Sequence, residues 1–176
     1  MFHKLLFTPV FVLAGFACMA SANAQTNPAC PYTLASIQGT YGIVVNYGAN
    51  VAMALGTRTY DGNGNMTGTF IINAPTAGST TGARTISHGT QTGTYTVNCN
   101  GTGIITRVIT LTTGATAPAL DDFVITAAAR STQAGQPLLA TAIVDAGEDP
   151  STLAVGGLFV TRVQTRLPDL IPLFGF

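Results

Sequence analysis

Apolar and polar residues alternate one for one along most of this chain, and Gly, Asn, Asp and Pro interrupt the alternation at short intervals. A period of two is the mark of a strand with one face turned to a core. Tyr41, Ile43, Val45 and Tyr47 fall on one side of the first such segment, against Thr40, Gly42, Val44 and Asn46. Met66, Gly68, Phe70 and Ile72 repeat the pattern against Thr67, Thr69, Ile71 and Asn73. Tyr95, Val97 and Cys99 oppose Thr94, Thr96 and Asn98. Further strands are expected at 51–60, 83–88, 104–113, 123–130, 138–144 and 158–165, where β-branched residues are frequent. Residues 121–130 come nearest to a helical stretch, and they read as a strand entered from a turn. Eight or nine strands at regular spacing predict an all-β protein built as an antiparallel meander. A surface with almost no charge protects exposed sheet edges poorly, which favours closing the meander into a barrel. The barrel domain is expected over 39–166, after a polar leader at 25–38 and before an apolar tail at 167–176 that packs on one end or on the outside.

The start of the chain departs from this pattern. Lys4 precedes an apolar run from Leu5 to Ala20, and Ala22-Asn23-Ala24 then supplies a small-residue cleavage site. That order predicts a removable secretory signal over residues 1–24, and a secreted or periplasmic location. Pro9 interrupts the run and no basic stop-transfer residues follow, so no stable transmembrane span is expected. A lipoprotein reading would use Cys18, but Gly15-Phe16-Ala17 lacks the leucine such a site calls for. About 150 residues remain, enough for one domain with its own core. Lys4 is the only lysine, so six arginines (58, 84, 107, 130, 162, 166) face seven acids (61, 121, 122, 145, 148, 149, 169). This balance offers no attraction to a phosphate backbone, and nucleic acid is not an expected partner.

Of three cysteines, Cys18 leaves with the signal, and Cys30 and Cys99 remain in an oxidising compartment. A Cys30–Cys99 disulfide is expected, the alternative being two free buried thiols. Zinc needs more ligands than Cys30, Cys99 and His88 supply, and no cofactor motif is present.

Asp61-Gly62-Asn63-Gly64-Asn65 opens like a calcium loop, yet Ile72 stands where a bidentate Glu would close it, and Asp-Gly and Asn-Gly are strong hairpin signals. His88 is the one histidine after the signal, and Ser87 beside it should point to the other strand face. Asp121-Asp122 and Asp145 with Glu148-Asp149 are the raw material of glycoside hydrolysis. The chain has no Trp for sugar stacking, and acids beside Gly147 and Pro150 ordinarily solvate turns. Arg107 shares a strand face with Ile105, Ile109 and Leu111. Facing inward it would be a buried cation requiring a carboxylate or an anionic ligand, which makes it the candidate ligand-binding residue. Facing outward, the default for an arginine, it would snorkel at the surface. Ala127, Ala129, Ala140 and Ala142 are small alternating residues that would leave room inside a barrel or let another element pack close. Asn65-Met66-Thr67 and Asn100-Gly101-Thr102 match the glycosylation sequon and receive no weight.

Gly39-Thr40-Tyr41, the Tyr60–Asn65 turn with Gly68, Gly93-Thr94-Tyr95-Thr96-Val97-Asn98 beside a cysteine, and Asp122-Phe123-Val124-Ile125 together resemble a family of secreted bacterial proteins of unknown function. That family is similar to the allene oxide cyclase barrel, a calycin-like fold. The resemblance spans nearly the whole mature chain, and it implies a cysteine before the first strand and another after the Tyr-Thr-Val-Asn strand, which Cys30 and Cys99 match. Here Cys99 follows Asn98 directly, where the family pattern has one or two residues between. The resemblance carries no catalytic residue. Three functions follow as expectations: non-enzymatic binding of a small apolar ligand, a structural or adhesive role in the cell envelope, and, by fold analogy alone, a cyclase or isomerase. A variant of the envelope role places the chain in the outer membrane, against which stand Pro168, Pro172 and the lack of paired aromatic girdles.

Overall fold

A computed structural model describes residues 30–47, 52–130, 136–148 and 160–168. The segment expected to be a signal, residues 25–29 of the leader, Asp149 and the tail beyond Pro168 lie outside the described residues. Eight strands follow a short 3-10 turn at Leu34–Ile37: β1 (Gly39–Asn46), β2 (Met53–Tyr60), β3 (Asn65–Pro75), β4 (Arg84–Tyr95), β5 (Thr102–Leu111), β6 (Thr116–Ala129), β7 (Leu139–Gly147) and β8 (Thr161–Arg166). Each pairs antiparallel with the next, and β8 returns to pair with β1 through Val44 and Val163, so the sheet is a closed barrel with no free edge. Among the described residues no helix is long and apolar enough to cross a membrane.

The alternation settles which side of each strand is buried. Tyr41, Ile43 and Val45 face inward from β1, Met66 and Phe70 from β3, Ile105 from β5, and Phe123 and Ile125 from β6. The segments expected at 83–88 and 94–99 are one strand, β4, which runs through Gly89 and Gly93 and stops at Tyr95. Both glycines read as breaks in the sequence. In the barrel they are places of close approach: a Cβ on Gly89 would meet the Phe70 ring at 2.4 Å, and one on Gly93 would meet the Thr106 carbonyl at 2.1 Å. β6 also begins before the turn expected at Asp121, and it takes in Pro118. Pro118 is tolerated because β6 overshoots β7. Leu120 turns its carbonyl to the Glu148 amide (2.8 Å), and Pro118, two residues earlier, turns its nitrogen the same way, past the last β7 partner, Gly147.

The end holding the 3-10 turn, here the lower end, is sealed. Ile37 from that turn packs with Tyr41, Tyr60, Met66, Tyr95, Ile105, Phe123, Ile125, Ala140 and Ile143. Tyr60 stands edge-on to Tyr41 (5.6 Å between centroids) and to Tyr95 (5.1 Å). Their hydroxyls donate to Ala140 O (Tyr41, 2.8 Å), Gln164 Oε1 (Tyr60, 2.9 Å) and Leu34 O (Tyr95, 3.1 Å), so these buried phenols are satisfied. Burial pushes the Tyr41 hydroxyl up to about 12. The Cys30–Cys99 disulfide is present, with Cα atoms 4.9 Å apart, and it ties the entry to the 3-10 turn to the β4–β5 loop. The Asp61–Gly64 connection is the expected hairpin. Gly62 (φ 81°) and Gly64 (φ 103°) take the left-handed region, and the Asp61 carboxylate accepts from the amides of Asn63 (2.7 Å) and Asn65 (2.9 Å) and from Asn65 Nδ2 (2.6 Å). Those bonds, that of the Asn65 side chain first, hold Asp61 below the ordinary carboxylate range.

The outer surface reverses the usual distribution. Val124, Val144, Val163, Val44, Leu55 and Ile71 are direct cross-strand partners in sequence, an apolar row running over β6, β7, β8, β1, β2 and β3. Val44, Leu55 and Val163 are each at least half exposed. Among the described residues, the outward strand positions carry two formal charges, Arg84 and Asp122. Of the remaining strand charges, Arg58, Arg107, Asp121, Asp145 and Arg162 are buried inside and Arg166 is half-buried.

Candidate functional site

Between the sealed lower core and the upper end lies a layer of buried polar side chains. Arg58 on β2, Gln91 on β4, Arg107 on β5, Asp121 on β6, Asp145 on β7, and Arg162 and Gln164 on β8 all point inward, none more than 6% exposed. Two glycines make the space: Gly93 is the direct partner of Arg107, and Gly68 is the partner of both Arg58 and Gln91. A Cβ on Gly93 would lie 2.8 Å from Arg107 Cβ, and one on Gly68 would lie 2.9 Å from Gln91 Nε2. Larger residues at these two positions would expel the guanidinium and the amide from their places.

The two carboxylates link the three arginines. Asp121 accepts from Arg107 through Nε (2.6 Å) and Nη2 (3.3 Å), and it forms an ion pair with Arg162 Nη1 at 2.9 Å. Asp145 accepts from Arg58 Nη1 (3.0 Å), from Arg162 Nη1 and from Gln164 Nε2 (2.5 Å). Arg58 Nε donates to Gln91 Oε1 at 3.2 Å. Arg58 Nη2 has no hydrogen-bond acceptor, and Asp121 Oδ2 stands 3.7 Å from it. Burial raises the Asp121 carboxyl, but the hydrogen bond from Arg107 and the charges of Arg162, Arg107 and Arg58 outweigh it and hold the group below its ordinary value. Burial, followed by the charges of Arg162 and Arg58, pushes the Arg107 guanidinium down to about 10 in spite of Asp121.

The Asp121 shift has a consequence in acid. A carboxylate whose folded-state pKa is depressed contributes stability that is complete above its unfolded value of 3.8 and is lost as pH falls through the lower folded value. Urea midpoints are therefore expected to be flat from about pH 7 down to about pH 4.5 as far as this group is concerned, and to fall steeply below about pH 4. A midpoint unchanged down to pH 2 would show that Asp121 is not held by the arginines.

Arg107 thus faces inward, which corrects the outward default. The strand face it shares with Ile105 is the interior one, and the cation is accommodated because Asp121 lies across the β5–β6 pairing. The structure brings Asp121 and Asp145 to one site, where both are engaged by arginines. Asp122 and Glu148 are exposed elsewhere, and Asp149 lies outside the described residues. His88 is exposed on the outer surface opposite Ile71, and Ser87 turns the other way. The alanines do not open the interior. Ala127 and Ala129 are exposed, because the β6–β7 register shifts around Ala127, while Ala140 is fully buried beneath the Tyr41 hydroxyl. Sequence reasoning singled out Arg107 and passed over Arg58, Arg162, Gln91 and Gln164. The signal was available, since each shares its strand parity with apolar inward residues: Arg58 with Ala54 and Tyr60, and Arg162 with Val160.

Above this layer the interior is apolar again. Among the described residues Ile43, Val45, Ala54 and Val160 form a buried cluster, with Tyr47 and Ile72 half-buried against them, and Ala52, Phe70 and Ala117 are buried as well. Burial pushes the Tyr47 phenol up while the charges of Arg162 and Arg107 pull it down, so Tyr47 lies within electrostatic reach of the upper side of the layer. Comparison with family models, with curated proteins and with solved structures finds no match to this chain.

Proposed function

We propose that the protein is an exported, non-enzymatic barrel that binds one small, largely apolar molecule at its upper end. The observation that carries this reading is the asymmetry of the interior. The lower end is closed by a ten-residue core with the 3-10 turn and the disulfide, whereas the buried apolar residues described at the upper end, Ile43, Val45, Ala52, Ala54, Phe70, Ala117 and Val160, include three alanines and no second 3-10 turn or disulfide among the described residues. Eight-stranded barrels have room for one small ligand when their side chains leave it. The ligand would sit above the arginine layer, since side chains fill the middle of the barrel. The meander is in keeping with the resemblance to allene oxide cyclase-like proteins, and export rests on the signal at residues 1–24. A cyclase or isomerase would need a carboxylate free to take a proton, and the two carboxylates buried among the described residues are bound by arginines.

Enhancement of N-phenyl-1-naphthylamine fluorescence, its displacement by decanol, and native mass spectrometry of protein purified from its own host test the reading. The expected result is saturable uptake of one probe per chain and a bound mass in the native spectrum. Neither uptake nor added mass would overturn it. A second reading, assembly in the cell envelope through the outer surface, is favoured by the exposed apolar row from Val124 to Ile71. Sedimentation velocity on the same preparation decides it: self-association that Leu55→Lys and Val163→Lys abolish supports assembly, and a monomer in both forms removes it.

A further inference from the structure

The polar layer contains three arginines and two aspartates, one positive charge more than its own carboxylates balance among the described residues. An unbalanced charge inside a protein is costly, and a guanidinium does not escape the cost by losing its proton near neutral pH. One hydrogen-bond donor of the layer is also left over: Arg58 is fully buried, and its Nη2 finds no acceptor. The layer is not sealed equally on all sides. Arg58 is wholly enclosed, while Arg107 and Arg162 keep 4% and 6% of their side chains exposed. Tyr47 and the apolar residues described at the upper end lie on that same side. The result is a cationic floor beneath an apolar rim.

We propose that the upper side of this layer, at Arg107 and Arg162, is a receptor for a single monoanionic group of the carboxylate class carried by the small apolar molecule that the upper end binds. The proposal rests on the binding reading above and adds the chemistry of the ligand's polar end. One negative charge matches the excess of one, whereas a dianion such as a phosphate monoester would reverse it. A planar carboxylate can also accept from two guanidinium groups at once. Burial first, and then the repulsion of Arg162 and Arg58, depress the Arg107 guanidinium, and a bound anion would relieve that repulsion.

The test compares decanoate, methyl decanoate and decanol on the full chain at about pH 7.5, by displacement of the naphthylamine probe and by calorimetry. Decanoate is expected to bind at least about tenfold more tightly than its methyl ester, as a charge-assisted hydrogen bond in a buried site provides. Gln91→Glu places a third carboxylate against Arg58, where Gln91 Oε1 already accepts from Nε. This substitution is expected to erase the preference for the acid over the ester. If all three compounds fail to bind, the binding reading falls and this proposal with it. Equal binding of acid and ester to the natural protein leaves the binding reading standing and overturns the carboxylate receptor. A preference that persists in folded Gln91→Glu overturns the assignment to this layer. The acid-to-ester comparison needs no variant, so it decides even if Gln91→Glu does not fold.

Discussion

Asp145→Ala is expected to lower the unfolding free energy by about 3–5 kcal/mol, a large part of what a domain of this size possesses. Asp145 is fully enclosed and accepts hydrogen bonds from two arginines and one glutamine. Removing it leaves Arg58 and Arg162 inside the barrel with only Asp121 to balance three cations. The penalty comes from the stranded charges and not from the ion pairs as such, because a buried pair barely repays the cost of desolvating it. A sharper contrast follows. A variant in which Arg58, Arg107, Arg162, Asp121 and Asp145 are all replaced by apolar residues of similar volume should be more stable than Asp145→Ala, although five residues differ. Urea denaturation at neutral pH reads both. A loss below about 1 kcal/mol for Asp145→Ala would mean that water reaches the layer and screens it.

Reducing the Cys30–Cys99 bond should produce an effect of similar size by a different route. The bond closes a span of 69 residues, for which the chain-entropy estimate is about 4 kcal/mol, acting mainly on the unfolded chain. For a domain of about 150 residues this corresponds to a fall in the melting temperature of about 10 °C or more. The bond also has a local effect. It holds the chain leading into Ile37, and Ile37 is the plug of the lower core. The Cys30→Ser/Cys99→Ser variant should therefore lose near-ultraviolet tyrosine dichroism from the Tyr41–Tyr60–Tyr95 contacts before the sheet melts. A melting curve unmoved by dithiothreitol, with loss of the bond verified by mass, would overturn both points.

The two predictions differ in how far the sequence alone could have led to them. The disulfide was legible, because only two cysteines, Cys30 and Cys99, follow the segment expected to be a signal. The inward faces of β1 and β3 were legible as well, since parity along a strand is a local property: Tyr41, Ile43 and Val45 are buried and Val44 is not. Parity began to fail where the backbone slips. The shifts around Ala127 turned Ala127 and Ala129 to the outside, and close approach by Phe70 and Arg107 allowed β4 to run through two glycines that read as breaks.

The polar layer was a different kind of problem. Arg107 and Asp121 are 14 residues apart on paired strands, but Arg58 meets Asp145 across 87 residues, and Tyr60 meets Gln164 across 104. Those partners become neighbours only when β8 pairs with β1 and the sheet shuts.

By itself the order of residues determined that the chain alternates into strands, that those strands follow one another as a meander, and that Cys30 and Cys99 can bridge. Each of these depends on neighbours a few positions apart, or on a pairing with no competitor. Closure of the barrel alone decided that three arginines and two aspartates share one buried layer with a charge left over. Which strands meet across the interior is set by the stagger of the closed sheet, and no local run of residues encodes that stagger.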